Sequence, residues 1–186
     1  VVLLTGLPFM RLIGMDYEGI ASRVRSGAPV AVVPPLSLEG DWLDGYAKAL
    51  DALVSALPVR RVRRKPRSAA IVGYLFDRNE RDHSANISGL KRLLAAAGVD
   101  LLAVLPGGTE FKSWERALAA DLIISMPYGR QAAARLAART GARLVETGLP
   151  VGVGGTSAWL ASVRAAAGLK GPLPPVLAEL ERATRR

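Results

Sequence analysis

Apolar and polar positions along this chain keep switching between a short continuous run and a helical spacing. Val1–Thr5 is apolar and β-branched, reads as a strand, and is broken by Gly6 and Pro8. Phe9–Gly14 is a short apolar connection. Asp16 can cap a helix running to about Ser26, with Ile20 and Val24 on its inner face. Ala28–Val33 is a second strand, stopped by Pro34 and Pro35. A helix follows from about Asp41 to Leu57, with Trp42, Tyr46, Leu50, Leu53 and Val54 as its apolar stripe. After residue 67 the alternation becomes regular. The pattern predicts strands at Ala69–Leu75, Leu101–Leu105, Asp121–Met126 and Ala142–Glu146. Between them it predicts helices at Ser84–Ala97, Phe111–Ala120 and Gln131–Arg139, with Gly98 and Gly141 as stops. In the first of these, Ile87, Leu90, Leu93, Leu94 and Ala97 share a face. The glycine-rich stretch VGVGGT then reads as a loop leading into a helix from about Ser157 to Ala167. GPLPP breaks the tail before a short amphipathic VLAELERATRR.

Strands separated by helices of about ten residues predict parallel βαβ units with right-handed crossovers. The expected class is α/β: a Rossmann-like three-layer α/β/α arrangement with parallel sheets, one fairly complete βα domain and part of another. The sharpest change in composition is RRVRRKPR at 60–67, where six of eight residues are basic. It suggests this division: residues 1–60 end a first Rossmann-like domain, 61–67 are a basic linker, 68–150 form a second, and 151–186 hold the glycine-rich loop and C-terminal helices. Like charges in such a segment repel and keep it extended. A nucleic-acid patch would want interleaved aromatics or a neighbouring reading helix. Neither is evident, so no nucleic-acid partner is expected.

Composition narrows the chemistry. Half of the 186 residues are apolar and the formal charge is +9, which suits an acidic partner or an anionic ligand. There is no cysteine, so this chain can form no disulfide, no zinc–thiolate site and no cysteine-ligated iron–sulfur cluster. No apolar run approaches the roughly 20 residues that span a bilayer, and no signal peptide is visible. A cytoplasmic protein without a membrane span is expected. The chain opens VVLLTGLP and reads as a piece of a longer protein.

In a parallel sheet the loops after the strands gather on one edge, where ligands bind. That edge collects Asp77, Arg78, Asn79, Glu80, Asp82 and His83 from the first loop. Gly107, Gly108 and Thr109 come from the second, Ser125, Tyr128 and Arg130 from the third, and Thr147 from the fourth. Helix N-termini there favour a carboxylate or phosphate. Arg130 is the candidate anion contact, and Asp82 or His83 the candidate proton donor. Consecutive loop carboxylates also serve as helix caps and partners for Arg78 and Arg81. A single histidine has no second imidazole to help hold a transition metal, so no metal site is assigned. GVGGT at 152–156 lacks the Lys-Ser/Thr ending of a Walker A loop, and no Gly-x-Ser-x-Gly elbow occurs.

Four collinear segments carry a family resemblance. LPFMRLIGMDYEGIA (7–21) resembles the segment Cys-Pro-x-x-Leu-Ile-Gly-Asp-Asp of the nitrogenase component 1 oxidoreductases. VAVVPPLSLEGDWLDGYAKALDAL (30–53), IVGYLFDRNERDHSANISGLKRLLAAAGVDLLAVLPGGT (71–109) and LIISMPYGRQAAARLAARTGARLVETGLPVGVGGTSAWL (122–160) are similar to later segments of the same family, in the same order. The family includes nitrogenase molybdenum–iron subunits, their cofactor-assembly scaffolds and dark-operative protochlorophyllide reductases. The resemblance implies a fragment of a subunit built from three Rossmann-like domains. It implies a homologous partner subunit, an oligomer at full length, and electrons from an ATP-dependent iron–sulfur reductase. It implies iron–sulfur clusters or tetrapyrroles bound between domains. The departures matter as well. The family's cluster cysteine falls near Leu7 or Pro8, Met15 replaces the first aspartate while Asp16 keeps the second, and a further family cysteine aligns with Ser125. A hydroxyl does not replace a thiolate on iron. No cofactor is therefore expected on this fragment's own residues, and the fragment alone is expected to be inactive. Two alternatives stay open: a non-catalytic scaffold or partner subunit, and an unrelated phosphate- or nucleotide-binding α/β domain.

Overall fold

The structure, a computed structural model, describes residues 1–25, 27–35, 40–58, 60, 62–75, 81–171 and 175. Strand β1 (Val2–Thr5) and strand β2 (Val30–Val33) pair in parallel, from Val2 opposite Val30 to Thr5 opposite Val33. Helix α1 (Tyr17–Arg23) crosses between them. The Asp16 carboxylate accepts the Gly19 N–H at 2.8 Å and caps it as expected. The inner face differs from the expectation: Tyr17 is buried, while Ile20 and Val24 are exposed. The helix is only seven residues long, and Val24 has already turned to extended backbone at its end.

Helix α2 (Trp42–Ser55) starts with a reciprocal cap. Asp41 accepts from the Leu43 and Asp44 N–H groups at 2.8 and 3.0 Å, and Asp44 accepts from the Asp41 N–H at 3.0 Å. Leu50 and Val54 of the predicted stripe are buried, but Trp42, in the first turn, is 65% exposed. This buried stripe packs on the second half of the chain.

That half is a four-stranded parallel sheet of β3 (Lys65–Val72), β4 (Asp100–Leu105), β5 (Ala120–Ser125) and β6 (Arg143–Glu146), in the order β4-β3-β5-β6. The first strand begins earlier than its apolar run, at Lys65. Ladder bonds need backbone rather than apolar side chains, and Lys65 pairs with Ala120 before a register shift ahead of Ala69. Parts of the basic stretch are tied down: Arg64 donates to the Thr140 carbonyl and Lys65 to Asp100 at 2.6 Å.

Helices cover both faces. On one lie α3 (His83–Ala96) and α5 (Gly152–Ala166), whose Leu90, Leu94, Trp159, Leu160 and Val163 pack on Ala69, Ile71, Leu122 and Ile124. On the other lie α2, α4 (Arg130–Thr140) and a 3-10 helix (Phe111–Ala119), packed on Ala70, Val72 and Ile123. Alternate strand residues thus feed two cores. The segment 111–119 is 3-10 rather than α. Of its buried residues, Trp114 and Ala117 come at the three-residue spacing that this turn eclipses, with Leu118 beside them.

Helix α5 also differs from the pattern. VGVGGT is not a loop, because the helix begins at Gly152 and includes every glycine of the stretch. Helical glycines cost about 1 kcal/mol each against alanine, and burial of Trp159, Leu160 and Val163 offsets this. The predicted tail helix lies outside the described residues. Across the helical layer, Arg135 of α4 grips Asp51 of α2 with two bonds of 2.7 and 2.8 Å. That hydrogen bond first, and the aspartate's charge second, raise the Arg135 pKa above its ordinary value. Arg139 donates to the carbonyls of Val54, Ser55 and Leu57, satisfying acceptors left open where α2 ends. Among the described residues no helix is long and apolar enough to cross a membrane.

Candidate functional site

Strand β3 has β4 on one side and β5 on the other. The chain leaves β3 toward α3 on one face and leaves β5 toward α4 on the opposite face. Between the C-terminal ends of β3 and β5 the connections therefore diverge, and such a divergence opens a crevice. Two glycines meet at its floor. A Cβ on Gly73 would lie 2.3 Å from the Gly129 nitrogen, and one on Gly129 would lie 2.5 Å from the Gly73 Cα. Gly73 also has φ +87°, which L side chains seldom adopt. Backbone approach this close brings the two loops together.

The same loops border a cavity of about 590 Å³. Tyr74 and Leu75 enter it from the β3 loop, Met126 and Tyr128 from the β5 loop, and Leu149, Pro150 and Val151 from the β6 loop. Asn86, Gly89, Leu90, Arg92 and Leu93 of α3 form its wall. The Tyr46 hydroxyl of α2 donates to the Tyr74 carbonyl at 2.6 Å, so the opposite face helps hold the loop in place.

The candidate residues fall into separate groups. Tyr128 lines the cavity. His83 opens α3, and its ring lies 5.4 Å from the Tyr74 ring, tilted by 54°. Asp82 precedes it, exposed, with no side-chain capping bond. Ser125 and Arg130 join Thr147 in a brace. Arg130 donates to the Ser125 carbonyl at 2.6 Å, to its hydroxyl at 3.2 Å and to the Thr147 carbonyl at 2.7 Å. Trp159 donates to the Thr147 hydroxyl at 3.1 Å. The guanidinium thus has three acceptors of its own chain, joining the β5 and β6 loops. Gly107 and Thr109 sit across β4, lining a separate hollow of about 250 Å³ with Ser113 and Arg116. Gly108 lies between them in the same turn, and Thr109 accepts a bond from Ser113 at 2.8 Å. Asp77 and Asn79 lie outside the described residues.

The cavity owes more to residues that the pattern left unmarked. Tyr74 read as the end of an apolar run, Gly89 and Arg92 as ordinary helix positions, and Val151 as the start of a glycine-rich loop. The one available signal was that TGLPV follows a strand, which places it on the ligand-binding edge.

The donors suit no metal cluster. The chain has no cysteine, and among the described residues no group of three or more histidine or carboxylate side chains could share an ion. The Ser125 hydroxyl is buried against a guanidinium, which repels a cation. Leu7 is an exposed alkyl side chain.

This geometry defines a Rossmann-like α/β protein with a crevice at the switch point of its sheet. The chain belongs to the nitrogenase component 1 type oxidoreductases, whose family model matches residues 1–186. Two solved structures share the fold. Nitrogenase Cp1 at pH 6.5 superposes with a TM-score of 0.76 at 18% identity, over 98% of this chain and 43% of that one. Nitrogenase Cp1 at pH 5 gives 0.67 at 18% identity, over 94% and 36%. The chain therefore spans less than half the length of the nitrogenase chains it matches. No curated protein matches the sequence.

Proposed function

We propose that this chain is the part of a nitrogenase component 1-like oxidoreductase subunit that walls one side of a substrate or cofactor cleft. In this reading it takes part in electron transfer driven by an ATP-dependent iron–sulfur reductase, beside a homologous partner subunit, in an oligomer in the cytoplasm. Protochlorophyllide reductase-like chemistry belongs to this class. The chain contributes cleft walls and hydrogen-bonding groups, not cluster ligands. The observation that carries the reading is the cavity at the sheet's switch point, apolar over most of its lining and edged by Tyr74 and Tyr128. Asp82 and His83 are the candidates for proton transfer, His83 through its contact with the cavity residue Tyr74. The 1–60 and 68–150 regions are proposed as parts of two successive domains.

The test uses the full-length subunit reconstituted with its partner and reductase. Val151, 73% exposed at the cavity mouth, tolerates a larger side chain. Val151→Trp is expected to slow reductase-driven turnover by about tenfold, since a blocked cleft misplaces its occupant, with an unchanged melting temperature. Unchanged turnover would remove this cavity from the reaction. The lack of thiolates and the guanidinium beside Ser125 favour a second reading, a scaffold subunit without catalysis of its own. That reading predicts normal turnover in Val151→Trp.

A further inference from the structure

Gly89 sits in the middle of α3, as its seventh residue, where glycine weakens a helix relative to alanine. Nothing among the described residues calls for it. A Cβ built there meets no atom within 4 Å, and its φ is not one that demands glycine. The position lines the switch-point cavity. The missing side chain keeps open a space that none of the described residues fills.

The charge pattern around that space is one-sided. Arg92, three residues on along α3, is the single charged side chain lining the cavity among the described residues, and no carboxylate lines it. Among the described residues no ion pair engages Arg92. The remaining wall is aliphatic or aromatic, with Leu90, Leu93 and Met126 beneath and Tyr74 and Tyr128 at the sides. Burying a charge on a ligand without an opposite partner is costly, and Arg92, exposed at the cavity's edge, offers that partner without itself being buried.

From these observations we infer that the cavity binds an apolar molecule carrying one anionic group, its body seated against α3 at Gly89 and its charge on Arg92. The inference rests on the cavity being the ligand cleft proposed above. It adds the chemical class of the occupant and the two residues that select it. Asn86, six residues before Arg92 on α3, adds an amide to the same cavity lining.

Two fluorescent probes test this with the full-length subunit: the apolar anion anilinonaphthalene sulfonate and its uncharged counterpart phenylnaphthylamine. Both are expected to bind, with one site per chain. Arg92→Ala is expected to weaken the sulfonate by roughly tenfold and leave the uncharged probe unchanged. Gly89→Leu is expected to weaken both probes by at least about tenfold, because it fills the seat. Gly89→Ala keeps the test sound if the larger variant folds poorly. Relieved of a helix-interior glycine, it should melt a few degrees higher and still weaken both probes. Wild-type binding of both probes by folded Gly89→Ala and Gly89→Leu would overturn the proposal. So would equal loss of both probes in Arg92→Ala. Probe binding that follows these variants while Val151→Trp leaves turnover intact would sink the electron-transfer reading alone.

Discussion

Single residues decide how closely the loops of the site approach. Gly73 and Gly129 touch through their backbones, and neither has room for a methyl group. Gly129→Ala must push the β5 loop away from β3, and overpacking of this kind costs on the order of 1–3 kcal/mol. The expected result is a lower urea midpoint with an unchanged slope. A midpoint equal to wild type would show that the two loops part without cost. Arg130 acts at the same scale. From the sequence it was a free cation on a ligand edge, and its charge and position were both legible there. Its partners were not, because the Ser125 and Thr147 carbonyls come from two strands that meet only in the sheet. Gly89 shows the opposite case. A glycine inside a helical pattern was in plain view, yet its meaning depends on the empty space beside it.

At the scale of elements, local chemistry explains most starts and stops. Asp16 and Asp41 cap α1 and α2 at the positions their side chains suggest. Asp41→Ala removes the carboxylate oxygen that accepts two N–H groups of α2 and is expected to cost about 1 kcal/mol, read as a lower thermal midpoint. Asp41→Asn, which keeps a capping oxygen, should recover most of it. Equal loss in both variants would place the effect in the carboxylate charge rather than in the cap. The misread elements share one cause. Residues 111–119 and 152–156 carry patterns that suit more than one local conformation, and tertiary packing chose between them. Trp114, Ala117 and Leu118 are buried along a 3-10 path, and the glycines of 152–156 are carried into α5 by the helix they begin.

For the molecule as a whole, the two sheets are unequal. β3 and β5 have neighbours on both sides and helices on both faces, and Ala70, Ile71, Val72, Ile123 and Ile124 are fully buried. β1 and β2 form only a two-stranded sheet, with Val2 and Leu3 exposed. Such a pair is marginal without further packing. Amide hydrogen exchange should therefore be slowest in β3 and β5 and fastest among strands in β1. Protection of β1 equal to that of β3 would show that the whole chain opens as one unit. The link between the sheets is α2, which follows β2 in the chain but lies on α4 through Asp51–Arg135 and the Arg139 contacts.

The sequence by itself determined the order and kind of nearly all elements, the α/β class, the stops at Gly98 and Gly141, and the absence of thiolate chemistry. These follow from side-chain periodicity, capping groups and composition, which report on neighbours a few residues away. Only the tertiary structure decided that β3 lies between β4 and β5. That order creates the switch point, brings Gly73 against Gly129, turns Arg130 into a brace and leaves Gly89 facing open space. All of these depend on how the strands lie beside one another, and no local period encodes which strand will lie beside which.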